Sequence, residues 1–223
     1  MKNEQILFVS DLHIPFHNMG AVRELFKDIK KNKYSTIVLG GDIIDMISPS
    51  HFDKIPEHEG ILQNELNVFY LFMNNLRKIH KGKLIYIIGN HETRVDKYLK
   101  RNHGLYGLDV LNLKNLLKCD KYDMSISYEY HHKNFLFTHG RYANKYSAAK
   151  ELDVNNISGI SGHVHRHSVA CKTHRKGEDI WISAPCMQDF KQQTFAPNPN
   201  WQTGWVVLSF DDKGLVDYKV RLI

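Results

Sequence analysis

Apolar residues follow two rhythms along this chain. Short unbroken runs, Ile6-Leu7-Phe8-Val9, Ile37-Val38-Leu39 and Leu84-Ile85-Tyr86-Ile87-Ile88, read as strands covered on both faces, and they place strands over Gln5–Val9, Thr36–Leu39 and Lys83–Ile88. Between them the spacing is helical. Val22, Leu25, Phe26 and Ile29 predict an amphipathic helix over Met19–Lys31. Leu62, Leu66, Phe69, Phe72, Leu76 and Ile79 form the longest stripe, ending near Lys81-Gly82, where the glycine suits a helix C-cap. The order β-α-β-α-β implies a parallel sheet with right-handed crossovers.

The second half is less regular. Glu92–Cys119 reads as mainly helical, and Ser125–Tyr130 and Asn134–Thr138 as strands joined by a polar turn at His131-His132-Lys133. Tyr146–Leu152 reads as helix. From Ile157 onward the pattern is of short strands, at Ser168–Thr173, Asp179–Ser183, Thr203–Phe210 and Leu215–Leu222, separated by turn signals such as Lys176-Gly177 and Asp211-Asp212-Lys213-Gly214. This half is expected to be largely antiparallel. Asp45–Gly60, with Pro49 and Pro56, reads as a loop beside the site, and Ala196-Pro197-Asn198-Pro199-Asn200 as a loop within one domain spanning residues 1–223.

What ends the apolar runs carries the chemistry. Asp11-Leu12-His13 follows the first run, Gly41-Asp42-Ile43-Ile44-Asp45 the second and Gly89-Asn90-His91-Glu92 the third. His139-Gly140 follows Phe135-Leu136-Phe137, and Gly162-His163-Val164-His165 follows Ile157-Ser158-Gly159-Ile160. In open α/β folds the carboxyl ends of strands are where ligands sit. The polar set Asp11, His13, Asp42, Asn90, His139, His163 and His165 contains carboxylate, amide and imidazole but no thiolate. That set suits hard or borderline divalent ions and argues against a structural zinc knot. Seven ligands exceed one tetrahedral site and suit two metals sharing a carboxylate, a device for generating a nucleophile from water and clamping a phosphoryl group.

Taken in order, Asp-x-His, Gly-Asp-x-x-Asp, Gly-Asn-His-Glu, His-Gly and Gly-His-x-His resemble the calcineurin-like metallophosphoesterase superfamily, over Asp11 to His165. The resemblance implies a four-layer α/β-β/α sandwich of two mixed sheets flanked by helices. It implies that Asp11, His13 and His165 hold one metal, that Asn90, His139 and His163 hold the other, and that Asp42 bridges them. It further implies attack on phosphorus by a metal-bridging hydroxide, with His91 protonating the leaving oxygen or stabilising its charge and Asp45 orienting His91 through a carboxylate–imidazole hydrogen bond. The expected cofactor is two divalent ions, Mn²⁺ first, with Fe²⁺, Zn²⁺ or Ni²⁺ as alternatives. Asn90-His91-Glu92-Thr93-Arg94 and Asn200-Trp201-Gln202-Thr203-Gly204 also resemble small phage and prophage members.

Composition adjusts the picture modestly. The 223 residues carry a formal charge of +6 and a pI near 9.1, which favours an anionic partner, although Lys and Arg are spread along the chain. With Arg94, Lys97, Lys100 and Arg101 together, this leans the expected substrate toward nucleotides or nucleic acid, with nuclease or phosphodiesterase activity; a phosphomonoesterase or a metal-bound non-catalytic scaffold are the alternatives. Cys119, Cys171 and Cys186 have no CxxC spacing and fit a reduced compartment. With no secretory h-region and no apolar run of membrane-spanning length, a cytoplasmic protein is expected, in the host cytoplasm if phage-encoded.

Several residues have two readings. Arg94 either contributes to catalysis by reaching a substrate phosphate or pairs at the surface with Glu92 or Asp96. His17 and Arg166 are further substrate-binding candidates, against the plainer reading of solvated loop residues. Trp201 and Trp205 either stack on a nucleobase or pack the β-rich end, and Val220-Arg221-Leu222-Ile223 either forms a dimer contact or is buried within one chain.

Overall fold

A computed structural model of the protein describes residues 4–51, 61–175, 177–192 and 199–223. The residues Asp53, Pro56, Glu57 and Glu59 of the expected acidic loop, Lys176, and residues 196–198 lie outside the described residues. Two mixed sheets carry the fold. The first has the order β11-β10-β1-β2-β3-β4, formed by Gly214–Leu222, Gly204–Asp211, Glu4–Val9, Thr36–Leu39, Lys83–Ile87 and Met124–Ser127. Strands β1 to β4 run parallel, while β10 is antiparallel to both β1 and β11. The second sheet, β5-β6-β7-β9-β8, is built from Glu129–His132, Phe135–Thr138, Gly159–Ser161, Gly177–Ser183 and Ser168–His174.

The period of two along each strand assigns its side chains to separate cores. Leu7, Val9, Ile37, Leu39, Leu84 and Tyr86 point outward from the first sheet, where they meet α1 (Met19–Asn32) and α2 (Leu62–Ile79) through Leu25, Ile29, Phe69 and Leu76. Their neighbours Ile6, Phe8, Val38, Ile85 and Ile87 point the other way, onto Phe135, Phe137, Ile160 and Ile182 of the second sheet. On the far side of that sheet, Leu136 and Trp181 pack against Ala148 and Leu152 of α5 (Ser147–Asn155). The result is helix, sheet, sheet, helix: the four-layer sandwich. Unbroken apolar runs are what such a doubly covered strand requires.

Several boundaries depart from the sequence reading. The segment expected as one strand over Ser125–Tyr130 divides at Tyr128, with β4 completing the first sheet and β5 opening the second. The second half is largely antiparallel, through β5–β6, β8–β9, β10–β11 and β1–β10, but at the centre of the second sheet β6, β7 and β9 are parallel neighbours. Glu92–Cys119 is only partly helical: α3 (Thr93–Arg101) is followed by two 3₁₀ turns, His103–Leu105 and Asp109–Leu111, and the short α4 (Leu113–Leu116). Helix α2 ends at Ile79 with His80 as its extended cap, so Gly82 is no C-cap; a side chain there would strike the Ser35 carbonyl. The C-terminal strand β11 is the sheet edge, with Leu222 and Ile223 exposed, so burial within one chain does not hold for these two residues. Trp205 is buried and its indole N–H donates to Asp28 at 2.9 Å, which assigns it to packing. Among the described residues no helix is long and apolar enough to cross a membrane.

Candidate active site

Because β1, β2 and β3 are parallel, as are β6 and β7, the loops after them emerge at the same edge of their sheets. Beyond the strands the first two loops stay zipped together: Asp11 N–H donates to Gly41 O at 3.0 Å, His13 N–H to Asp42 O at 3.0 Å and Ile14 N–H to Ile43 O at 2.9 Å. Asp11, His13, Asp42, His163 and His165 all adopt left-handed backbone, with φ of 54°, 50°, 50°, 68° and 56°. Each such non-glycine residue costs on the order of 1 kcal/mol and persists only where its surroundings over-determine it. Here the conformation turns His13, Asp42, His163 and His165 into one cavity, with Asp11 fully buried beside His165.

Two groups form. In the first, His13 and His165 face each other, Nε2 to Nε2, at 3.2 Å, and His165 Nε2 lies 3.2 Å from Asp11 Oδ1. In the second, His139 Nε2 lies 3.2 Å from Asp42 Oδ2 and 3.1 Å from Asn90 Oδ1, with His163 completing an Asp42–His139–His163 cluster. Each cluster offers three ligand atoms within 4.8 Å of one another. The outer ring atoms are already committed: His13 Nδ1 donates to Asp45 Oδ2 at 3.0 Å and His139 Nδ1 to Gly40 O at 2.9 Å. His13, neutral, therefore turns the Nε2 lone pair inward, whereas His139 carries an Nε2 proton that Asp42 and Asn90 accept and that ligation would remove. Such a set is satisfied by a shared cation, and spacings of roughly 3 Å are those of neighbouring ligands on a first-row divalent ion. The donor atoms fit two metals.

The charge states point the same way. Burial alone would raise the Asp11 carboxyl, but the His165 imidazole beside it outweighs burial and brings it down to about 2. Asp42 is held well below the usual carboxylate range, chiefly by His139 working against burial. Burial, with His91 and His139 as respective neighbours, depresses His13 and His163. For His139 burial is overcome by the Asp42 carboxylate, which lifts the imidazole to about 10, so ligation there displaces a proton.

His91 stands at the edge of the clusters, its Nε2 3.7 Å from Asp42 Oδ2. Its Nδ1 donates to the Asp45 backbone carbonyl at 2.8 Å, while the Asp45 carboxylate lies farther off at 3.4 Å. The expected carboxylate–imidazole bond to His91 is thus corrected: the carboxylate bonds His13, and the peptide oxygen holds His91. Arg94 pairs with neither Glu92 nor Asp96. Its Nη1 donates to Asp45 O at 2.8 Å and pairs with Asp45 Oδ1 at 3.1 Å, and its Nη2 lies 3.0 Å from His91 Nε2. His17 is buried rather than solvated, bridges Gln188 and leaves its Nδ1 without a hydrogen bond; it does not line the cavity. Arg166 is half-buried and likewise absent from the lining. Trp201 does line it, packed edge-on to His165 with ring centres 4.6 Å apart. The cavity measures about 290 Å³.

Glu92 has a part that the sequence reading missed. It is 1% exposed, and its carboxylate accepts from the N–H groups of Asp42, Ile43 and Gly89 at 3.0, 2.9 and 2.8 Å and from the Tyr86 hydroxyl at 2.7 Å. One side chain thereby ties the loop after β2 to the loop after β3. The available signal was an acid directly behind the Gly-Asn-His turn, opposite a loop with consecutive free N–H groups.

A family model described as calcineurin-like phosphoesterase matches residues 5–218. The gene 54 proteins of Mycobacterium phages L5 and D29 are each 24% identical over 229 residues, covering 94% of this chain and 90% of theirs. A dimetal phosphatase from Danio rerio superposes with a TM-score of 0.50 at 10% identity, covering 97% of this chain and 98% of that one, a likeness of fold.

Proposed function

The chain belongs to the calcineurin-like phosphoesterase family, metal-dependent hydrolases of phosphate esters, and we propose that it cleaves phosphodiester bonds of nucleotides or nucleic acid. The observation that carries the reading is the pair of Asp/His clusters opening into one cavity together with His91. In this reading Asp11, His13 and His165 hold one ion, Asn90, His139 and His163 the other, and Asp42 is shared. When bound, two divalent ions supply Lewis acidity toward the phosphoryl oxygens and lower the pKa of water. Mn²⁺ is the ion we favour; Fe²⁺, Zn²⁺ and Ni²⁺ suit the same nitrogen and oxygen donors.

The chain's own groups then divide the remaining work. His91, fixed through Nδ1 by the Asp45 carbonyl, presents Nε2 toward the clusters, where it gives a proton or a hydrogen bond to the leaving oxygen. Arg94 donates to that same nitrogen only while His91 is neutral, so proton transfer requires the His91 imidazolium, with Arg94 moved from Nε2 to the substrate phosphate. Burial opposes that form, but the Asp42 and Asp45 carboxylates outweigh it and raise the His91 pKa. Asp45 positions three groups at once: His13 by its carboxylate, His91 by its carbonyl, and Arg94 by both. Trp201 walls the side of His165 and offers an aromatic face or edge to a base.

The test is Mn²⁺-dependent hydrolysis of bis-p-nitrophenyl phosphate beside p-nitrophenyl phosphate. Preference for the diester is expected. His91→Ala should keep its metals and lose about 10²- to 10⁴-fold in turnover, the size of a lost general acid. Preference for the monoester replaces the diester reading with a phosphatase, and metal binding without hydrolysis of either compound makes the chain a scaffold.

A further inference from the structure

Helix α3 leads away from the catalytic cavity, and one of its faces repeats cations at helical spacing: Arg94, Lys97 and Arg101. These three, with Asn90, Pro49 and His51, line a second cavity of about 180 Å³. Asn90 lines both cavities, so the two are contiguous. The charges on α3 differ in their partners. Lys100 is neutralised by Asp96 at 2.7 Å and Arg94 is engaged by Asp45, whereas Lys97 and Arg101 are exposed and make no ion pair among the described residues. Solvated surface charge alone does not require two unpaired cations to share a concave wall with a ligand residue of the adjoining site.

We propose that Lys97 and Arg101 form a second phosphate subsite, which holds the backbone of a single-stranded nucleic acid next to the bond being cleaved. The subsite rests on the phosphodiester reading above. From Arg94 to Arg101 the helix rises about 10 Å, enough to follow two or more consecutive phosphates of a strand. An isolated phosphate ester would need only the metal cavity. A strand uses both sides of it, with the cation track on the α3 side and the Trp201 ring on the other. The strand would be gripped by its repeating charge, with little selection among bases.

The experiment compares wild type with the Lys97→Ala/Arg101→Ala double variant on two substrates. Bis-p-nitrophenyl phosphate has no flanking phosphate, and its hydrolysis should be unchanged within about twofold. On a short thymidylate strand kcat/KM should fall at least about tenfold, through KM, and the log–log salt slope should flatten by about 1.4, the share of two lost contacts to a single strand. Equal cleavage of the strand by both proteins overturns the subsite, and so does an equal loss on both substrates. Anisotropy of a labelled thymidylate strand, read in chelator, separates this from the reading it rests on. If wild type cleaves neither substrate, the phosphodiester reading fails, yet weaker strand binding by the double variant still supports the subsite and equal binding refutes it.

Discussion

Gly162 shows how little room the site leaves at the scale of single atoms. A Cβ there would overlap Asp11 Oδ2 and Ser10 Oγ, and at Gly89 it would overlap Asp42 Oδ1. Each glycine lies against a carboxylate that the strand ends bring inward, and neither needs positive φ; the requirement is space. Gly162→Ala is therefore expected to push the Asp11 carboxylate out of register with His13 and His165. Overpacking of this kind costs about 1–3 kcal/mol, and metal content after dialysis should fall with it. Elemental analysis beside urea denaturation checks both; a variant that retains full metal content would show that Asp11 is dispensable to its cluster. At this scale the convergence of the candidate ligands was legible in the sequence, because such residues are marked by their chemistry and by the strand that ends before each of them. What stayed hidden depends on a neighbour distant along the chain. Whether Arg94 meets Asp45 or Asp96, or whether His17 is buried, is decided by how loops stack, and no local pattern encodes that.

Between elements, Glu92 is the joint. It begins the turn into α3, yet its hydrogen bonds go back to the loop after β2 and to Tyr86 on β3. Replacing it with Gln leaves one acceptor oxygen and sets an amide NH₂ against backbone N–H donors. Hydrogen bonds to a buried charge are worth about 1.5–3 kcal/mol each, and an unsatisfied buried donor costs about 1–3 kcal/mol. Glu92→Gln should therefore lower unfolding stability by at least about 2 kcal/mol, read as a shift of the urea midpoint at constant slope. An unshifted midpoint would show that water replaces the lost bonds and that Glu92 is no joint. Elements also mark where the sequence reading stopped. Apolar period and length located β1, β2, α1 and the start of α2, because helices on one side and a sheet on the other leave an unambiguous run. The change of sheet at Tyr128 has no such mark, since β4 and β5 carry similar alternation and only their partners, β3 and β6, distinguish them. For the same reason the largely antiparallel character of the second half was legible while the parallel centre, β6-β7-β9, was not: short strands with nearby turns carry no record of which neighbour they pair with.

The whole molecule is two sheets held by the apolar layer between them, and the candidate ligands come from both. Asp11, His13, Asp42 and Asn90 follow strands of the first sheet; His139, His163 and His165 follow strands of the second. Metals at this edge would cross-link loops that otherwise hold buried carboxylates and five left-handed residues together with histidines as their only counter-charge among the described residues of the two clusters. The site is thus a place where the fold spends stability and metal binding returns it. A ligand present at a hundred times its dissociation constant stabilises by about 2.7 kcal/mol, and two tight sites should exceed that. For a chain of this size each kcal/mol moves Tm by roughly 2–4 °C, so adding Mn²⁺ to chelated protein should raise Tm by at least about 5 °C. Hydrogen exchange should locate the change. Protection should fall on chelation in the loops after β1, β2, β3, β6 and β7, while β1 and β2, covered on both faces, keep theirs. A Tm indifferent to Mn²⁺, or a loss of protection spread evenly through the sheets, would mean that the edge is set by the protein alone, with the ions as passengers rather than clamps between the two sheets.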